Sequence, residues 1–132
     1  MHRTATLLLV EDNPILREVV ATVLTGAGYR VTTAVSAERA FAALEVSRFD
    51  LILTDALVAF SAGEIDYWRG LDALAARAGA ARLVILTAHQ EREFHDFLRH
   101  GFAAILQKPC ALKALVAAVG AALVPREGAV SV

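Results

Sequence analysis

The stretch TLLLVEDNP, Thr6 to Pro14, decides the fold. Its first five residues are an uninterrupted run of strand length, apolar from Leu7 to Val10, the pattern of a β-strand buried on both faces. Glu11 and Asp12 close the run. Asn13 followed by Pro14 then reads as a helix N-cap with proline at the first helical position, where its missing N–H costs nothing. Behind it the spacing predicts a helix with Ile15, Leu16, Val19, Val20, Val23 and Leu24 on one stripe, stopping near Gly26 and Gly28. A buried strand that runs straight into a helix opens a βα unit.

The same unit recurs along the rest of the chain. Tyr29 to Ala34 alternates and is more polar, which predicts an edge strand, and Ala37 to Val46 predicts a short helix burying Ala40, Phe41 and Leu44. Leu51 to Thr54 is a third strand, closed by Asp55. Ser61 and Glu64 fit a capping box, predicting a helix in which Ile65, Trp68, Leu71, Leu74 and Ala75 share a face. Leu83 to Leu86 is the fourth strand. A charged helix from His89 to His100 is expected next, with Phe94, Phe97 and Leu98 inward and Gly101 as its stop. Ala103 to Leu106 is the fifth strand, and Leu112, Leu115, Val116, Val119 and Leu123 make the last helix amphipathic. Five βα units with apolar strands call for an α/β fold: a doubly wound, five-stranded parallel sheet with helices on both faces. Residues 1–124 are read as this one domain and residues 125–132 as a C-terminal tail or linker stub.

Composition narrows the function classes. The chain is 57% hydrophobic and 20% charged, the reverse of a disordered sequence. Its longest apolar run, Leu115 to Val124, has ten residues where a membrane span needs about 20, and no signal peptide is recognised. Thirteen basic against fourteen acidic residues, without a basic tract, argue against direct nucleic-acid binding. The single cysteine, Cys110, cannot form an internal disulfide. The expectation is a soluble, cytoplasmic protein with no membrane contact.

In an open α/β sheet, ligands bind beyond the carboxyl ends of the strands. The residues there are Glu11 and Asp12 after the first strand, Asp55 after the third, Thr87 after the fourth, and Lys108-Pro109 after the fifth. Only Val35 and Ser36 follow the second, as expected if the order is 2-1-3-4-5 and that strand lies at the edge. Each residue alone has an ordinary reading. The acidic pair can serve a helix dipole, Asp55 can merely end a strand, Thr87 can cap with Gln90, and Lys108 can be a solvated rim lysine. Together they do not, because three carboxylates at one rim repel unless cations offset them, and Lys108 supplies one charge. Hard oxygen ligands with few protein contacts suit Mg²⁺, with Mn²⁺ as a substitute.

Glu11-Asp12, Asp55, Thr87-Ala88 and Lys108-Pro109, in this order over Thr6 to about Leu123, resemble the receiver domain of two-component response regulators, of the stand-alone type. Gly63, eight residues after Asp55, matches a family glycine. The resemblance implies a flavodoxin-like fold in which Asp55 takes a phosphoryl group from a sensor histidine kinase or a histidine phosphotransfer protein. It implies that Asp12, Asp55 and the backbone carbonyl of Leu57 hold Mg²⁺, with Glu11 acting directly or through water. Lys108 would neutralise the phosphoryl oxygens. The Thr87 hydroxyl, with Ala88, would move toward them as the switch, Leu57 and His89 would tune hydrolysis, and Pro109 would be cis. The output would be a change in protein contacts with a downstream partner, with homodimerisation through the fourth helix, fifth strand and fifth helix as one form. No external substrate is turned over in such a switch, so an enzyme is not expected. A phosphohydrolase would want a second aspartate two residues after the nucleophile, where this chain has Leu57.

The chain also departs from the family pattern. Ile105 stands where a switch tyrosine or phenylalanine is usual, and Ala59 replaces a common proline, which predicts a less constrained loop over Ala56 to Ala62. These departures support an alternative: a pseudo-receiver that binds proteins without phosphorylation. Ile105 is β-branched and has no polar tip, so it is expected inside in both states. Phe94, His95 and Arg99 are expected on the output face, Cys110 as a small buried hydrophobe, Tyr67-Trp68 as core, and the four histidines at the surface.

Overall fold

The computed structural model describes residues 4–56, 59–61, 64–66, 68–89 and 94–124. In chain order the elements are β1 (Thr6–Val10), α1 (Pro14–Gly26), β2 (Arg30–Ala34), α2 (Ala37–Val46), β3 (Leu51–Thr54), β4 (Ala59–Ser61), β5 (Glu64–Asp66), α3 (Arg69–Arg77), β6 (Arg82–Thr87), β7 (Ala104–Gln107) and α4 (Leu112–Leu123). Five of the strands form one parallel sheet in the order β2-β1-β3-β6-β7. That is the 2-1-3-4-5 order expected, with β2 at the edge and largely exposed.

Successive residues of a strand point to opposite faces, and here both faces are dry. Leu7, Leu9, Leu51, Leu53, Val84 and Leu86 pack under α1 and α4. Leu8, Val10, Ile52, Leu83 and Ile85 pack on the other face, with Ala40 of α2 and Leu71 and Leu74 of α3. Each of these leucines and isoleucines stabilises the fold by about 1.5–3 kcal/mol through burial, which is why the strands read as continuous apolar runs. α1 begins as its sequence requires: Asn13 Oδ1 accepts the N–H groups of Ile15 and Leu16, each at 3.0 Å, with Pro14 at the first position. Ile15, however, is 76% exposed, so the buried stripe of α1 centres on Val20 and Leu24, with Leu16 partly covered.

One expected helix starts later than its sequence suggested, and another is replaced by turns. The segment holding Ser61 and Glu64 is a two-stranded antiparallel hairpin, β4 with β5, in which Ser61 pairs with Glu64 and Ala59 with Asp66. Ser61 and Glu64 are three apart, a spacing that serves a hairpin joined by two residues as well as a capping box. The apolar period from Ile65 to Leu74 runs through the junction, so it could not show that the helix begins only at Arg69. Gly63, Leu57 and Tyr67 lie outside the described residues. Between β6 and β7, Phe94 to Gly101 is a series of tight turns rather than an α-helix. Its bonds Phe97 N–H to Phe94 O, Arg99 to Asp96, His100 to Phe97 and Gly101 to Leu98 all span three residues. Gly101 stops the run with φ +86°, a conformation that favours glycine.

Tighter winding changes which side chains face inward. Phe94 is fully buried and Phe97 partly so, whereas Leu98 is 61% exposed, contrary to its expected inward place. Phe94 therefore belongs to the core and not to the output face, where His95 and Arg99 remain exposed. His100 is half-buried rather than superficial. Its ring stacks on Trp68 at 3.7 Å and 2° between planes, and its Nδ1–H donates to Asp72 at 2.7 Å. Trp68 also meets Phe94 edge-on at 5.7 Å, so its expected core role holds.

Candidate functional site

Each candidate side chain sits where a sheet strand ends. Glu11 and Asp12 follow β1, Asp55 follows β3, Thr87 ends β6, and Lys108 follows β7. The parallel ladder extends into the site, since Asp55 N–H donates to Val10 O at 2.9 Å and Lys108 N–H to Thr87 O at 2.7 Å. Those bonds fix the roots of these two side chains to the sheet.

Glu11 is only 2% exposed and is held on both oxygens. Its Oε2 accepts the Asn13 N–H at 3.1 Å, and its Oε1 accepts the Lys108 ammonium at 2.7 Å. Lys108 also lies 3.6 Å from Asp55 Oδ1, so it stands between two carboxylates and is drawn closer to the buried one. Asp12 is exposed. Glu11, Asp12 and Asp55 each offer a carboxylate oxygen, all within 4.8 Å of one another. Hard oxygen donors so crowded, with a single ammonium among them, fit a divalent cation such as Mg²⁺. Asp55 is one-quarter exposed, and its Oδ1 accepts the N–H of Ala56 at 2.7 Å. The Lys108–Pro109 peptide is cis, as expected.

Two further residues organise the site without having stood out in the sequence. Arg17 on α1 donates to Glu11 O at 3.0 Å and more weakly to Asp12 O at 3.5 Å, tying the acidic turn to the helix. It lies one helical turn inside α1, a spacing too common to signal a role. Gln107, next to Lys108, donates to Ala88 O at 3.1 Å and His89 O at 2.6 Å. Thr87 is fully buried and its Oγ1 accepts the His89 N–H at 3.0 Å, so it closes its own turn; Gln90, the expected capping partner, is outside the described residues.

Around these groups runs a cleft of about 740 Å³, lined among others by Glu11, Asp12, Ser36, Asp55, Arg69 and His89. On the other side of Lys108 is an apolar groove of about 430 Å³ between α1 and α4, lined by Leu16, Val20, Pro109, Leu112 and Leu115 and by the partly buried Cys110. Ile105 is half-buried against the core cluster on the α3 face.

The response regulator receiver domain profile matches residues 7–120. The chain belongs to the response regulator receiver domain family. This receiver is similar in fold to a CheY-like receiver domain protein of Methanospirillum hungatei, with a TM-score of 0.77 at 22% identity over 92% of this chain and 94% of that one. It is likewise similar to the chemotaxis response regulator CheY4 of Vibrio cholerae, with a TM-score of 0.75 at 24% identity over 91% and 99%. A response regulator of Burkholderia pseudomallei, whose structure contains a phosphorylated aspartic acid, a calcium ion and citrate, gives a TM-score of 0.71 at 21% identity over 86% of this chain and 65% of that one. No curated protein matches the sequence. Among the described residues, no helix of the receiver is long and apolar enough to cross a membrane.

Proposed function

We propose that this receiver is a phosphorylation-driven switch in which Asp55 accepts a phosphoryl group from the phosphohistidine of a sensor kinase or phosphotransfer protein. The observation that carries the reading is the placement of Asp55: partly exposed in a cleft, with Glu11 and Asp12 on one side and the Lys108 ammonium 3.6 Å away. In the transfer, an Asp55 oxygen forms a bond to phosphorus as the donor's P–N bond breaks, and the imidazole leaves with a proton taken from solvent. Glu11, Asp12 and Asp55 would hold Mg²⁺, with the carbonyl of Leu57 completing the set. When bound, the cation supplies positive charge against the crowded carboxylates and the phosphoryl oxygens. Lys108 is already anchored by Glu11, so it meets the incoming oxygens without first having to order its side chain. Thr87 then donates its hydroxyl to a phosphoryl oxygen, and His89 and Leu57 govern access of water. The phosphorylated aspartic acid and divalent ion in the Burkholderia pseudomallei structure support this reading.

The donor must bring an imidazole ring to Asp55, and the receiver has an apolar margin for a helical partner. Ile15 is 76%, Val19 39% and Leu112 40% exposed beside the groove that flanks Lys108. Phosphohistidine donors are charged from ATP, so the proposed compartment is the cytoplasm. The output is a change in protein contacts, with self-association through β7 and its flanking segments as one form. No external substrate is turned over and no nucleic acid is bound directly.

The absence of a switch ring at Ile105 favours a second reading, a binding module indifferent to phosphate. One experiment separates the two. Incubation with acetyl phosphate and Mg²⁺ should add one phosphoryl group by intact mass, mapping to Asp55, and EDTA should prevent it. An unchanged mass would leave the pseudo-receiver as the function.

A further inference from the structure

We propose that Gln107 is a positioning residue that restrains the Thr87 switch, a role that rests on the phosphoacceptor reading of Asp55. Gln107 is the last residue of β7 and stands opposite Thr87 in the parallel register. Its Nε2 donates to the carbonyls of Ala88 and His89 at 3.1 and 2.6 Å. Two carbonyl acceptors can be met only by the NH₂ end of the carboxamide, so that end faces this one turn. The turn is also closed from within, where Thr87 Oγ1 accepts the His89 N–H at 3.0 Å.

The sheet order gives these bonds a direction. β6 lies between β3, which carries Asp55, and β7, which carries Gln107. Thr87 is fully buried at the end of β6, and its turn is the part of the strand end that can move toward a group on Asp55. Movement toward Asp55 is movement away from Gln107. Both carboxamide bonds then lengthen and lose alignment, and hydrogen bonds weaken steeply under either change. A phosphoryl group on Asp55 and the amide of Gln107 therefore compete for the same three residues, 87–89. Ile105 lies on the same face of β7 two residues earlier, but it is aliphatic and packed against the core, so it has nothing to offer the turn. In this receiver the link from β7 to the switch is a pair of hydrogen bonds rather than a ring that changes places.

The test uses Gln107→Met, which keeps length but removes both donors, and Gln107→Glu, which keeps shape but turns an acceptor toward the two carbonyls. In the free, unphosphorylated protein the ¹⁵N amide signals of Ala88 and His89 should move from the wild-type position toward that of the beryllofluoride-bound wild type, further for Glu than for Met. Labelling by acetyl phosphate should be about threefold to tenfold faster in both, the population shift carried by one or two net hydrogen bonds. A purely structural role would broaden or scatter signals across β7 without that direction. Unmoved Ala88 and His89 signals in both folded variants, or labelling no faster than wild type, would overturn the clamp. Failure of the wild type to label or to bind beryllofluoride would instead sink the Asp55 reading, on which the clamp rests.

Discussion

Around Asp55 the carboxylates, Thr87 and Lys108 stand at or just beyond strand ends, while the segment Phe94 to Gly101 between β6 and β7 is built of three-residue turns and side-chain contacts. Glu11, Asp55 and Lys108 are rooted in ladder bonds and linked to one another at 2.7 and 3.6 Å. The segment Phe94 to Gly101 is kept in place by Phe94 in the core and by the stack of His100 on Trp68. On the proposed function, the first region would offer its groups to the chemistry already in place. The second has few regular backbone bonds to lose, which is the condition for a segment that shifts when the Thr87 turn shifts. The proposed switch would thus divide rigidity and responsiveness between neighbouring strand ends of one sheet.

The largest expected effect attacks the rigid side. Asp55→Asn should abolish labelling by acetyl phosphate while the fold, followed by circular dichroism, stays intact. Asp12→Ala should cut labelling severely by removing one cation ligand. Persistent acid-labile label in Asp55→Asn, mapped elsewhere, would move the nucleophile to another residue.

Next comes the ion pair that anchors the site. Lys108→Ala strands the Glu11 carboxylate, which is 2% exposed, without its cation. Breaking a buried pair from one side costs about 3 kcal/mol at the low end, and the Asn13 N–H that remains on Glu11 argues for that end. Urea unfolding in EDTA should show this loss, and Mg²⁺ should restore more stability to the variant than it adds to the wild type. Equal stability of the two proteins in EDTA would mean that Glu11 does not depend on Lys108.

A smaller effect is expected on the responsive side. His100→Ala removes the stack on Trp68 and the bond to Asp72, for a loss of about 1–2 kcal/mol. Trp68 is the only tryptophan, so its emission reports the change directly. Amide exchange at His100, Gly101 and Phe102 should quicken while β1 and β3 stay protected. Uniformly faster exchange would show that the two regions unfold as one unit.

The smallest effect is at Ile105. Ile105→Val should cost about 0.5–1.5 kcal/mol, as for a packed aliphatic side chain, and leave the labelling rate near that of the wild type. Comparison of free and beryllofluoride-bound protein should find the Ile105 rotamer unchanged. A large rotamer change there would return the switch to Ile105 and away from Gln107.

The sheet and the acidic site were legible in the chain itself. A strand buried on both faces must be apolar throughout, and the groups beyond its carboxyl end need no long-range information to be found. Leu7 to Val10 with Glu11-Asp12, Leu51 to Thr54 with Asp55, and Lys108-Pro109 therefore announced both strand order and site. The segments after Asp55 and after Thr87 were not legible in the same way. Ser61 and Glu64 carry a spacing shared by a helix cap and a hairpin, and Phe94, Phe97 and Leu98 fit a helix until tighter turns turn Leu98 outward. Local patterns there fit more than one backbone, and for Phe94 to Gly101 the burial of Phe94 and the stack of His100 on Trp68 accompany the turns that form. Gln107 shows the same limit most plainly. As a residue it is an ordinary polar side chain before a lysine. It acquires a role only because the parallel register sets it opposite Thr87, with Asp55 on the far side of Thr87's strand. Composition and periodicity depend on near neighbours along the chain, whereas a tension between three strands exists only once the sheet has formed.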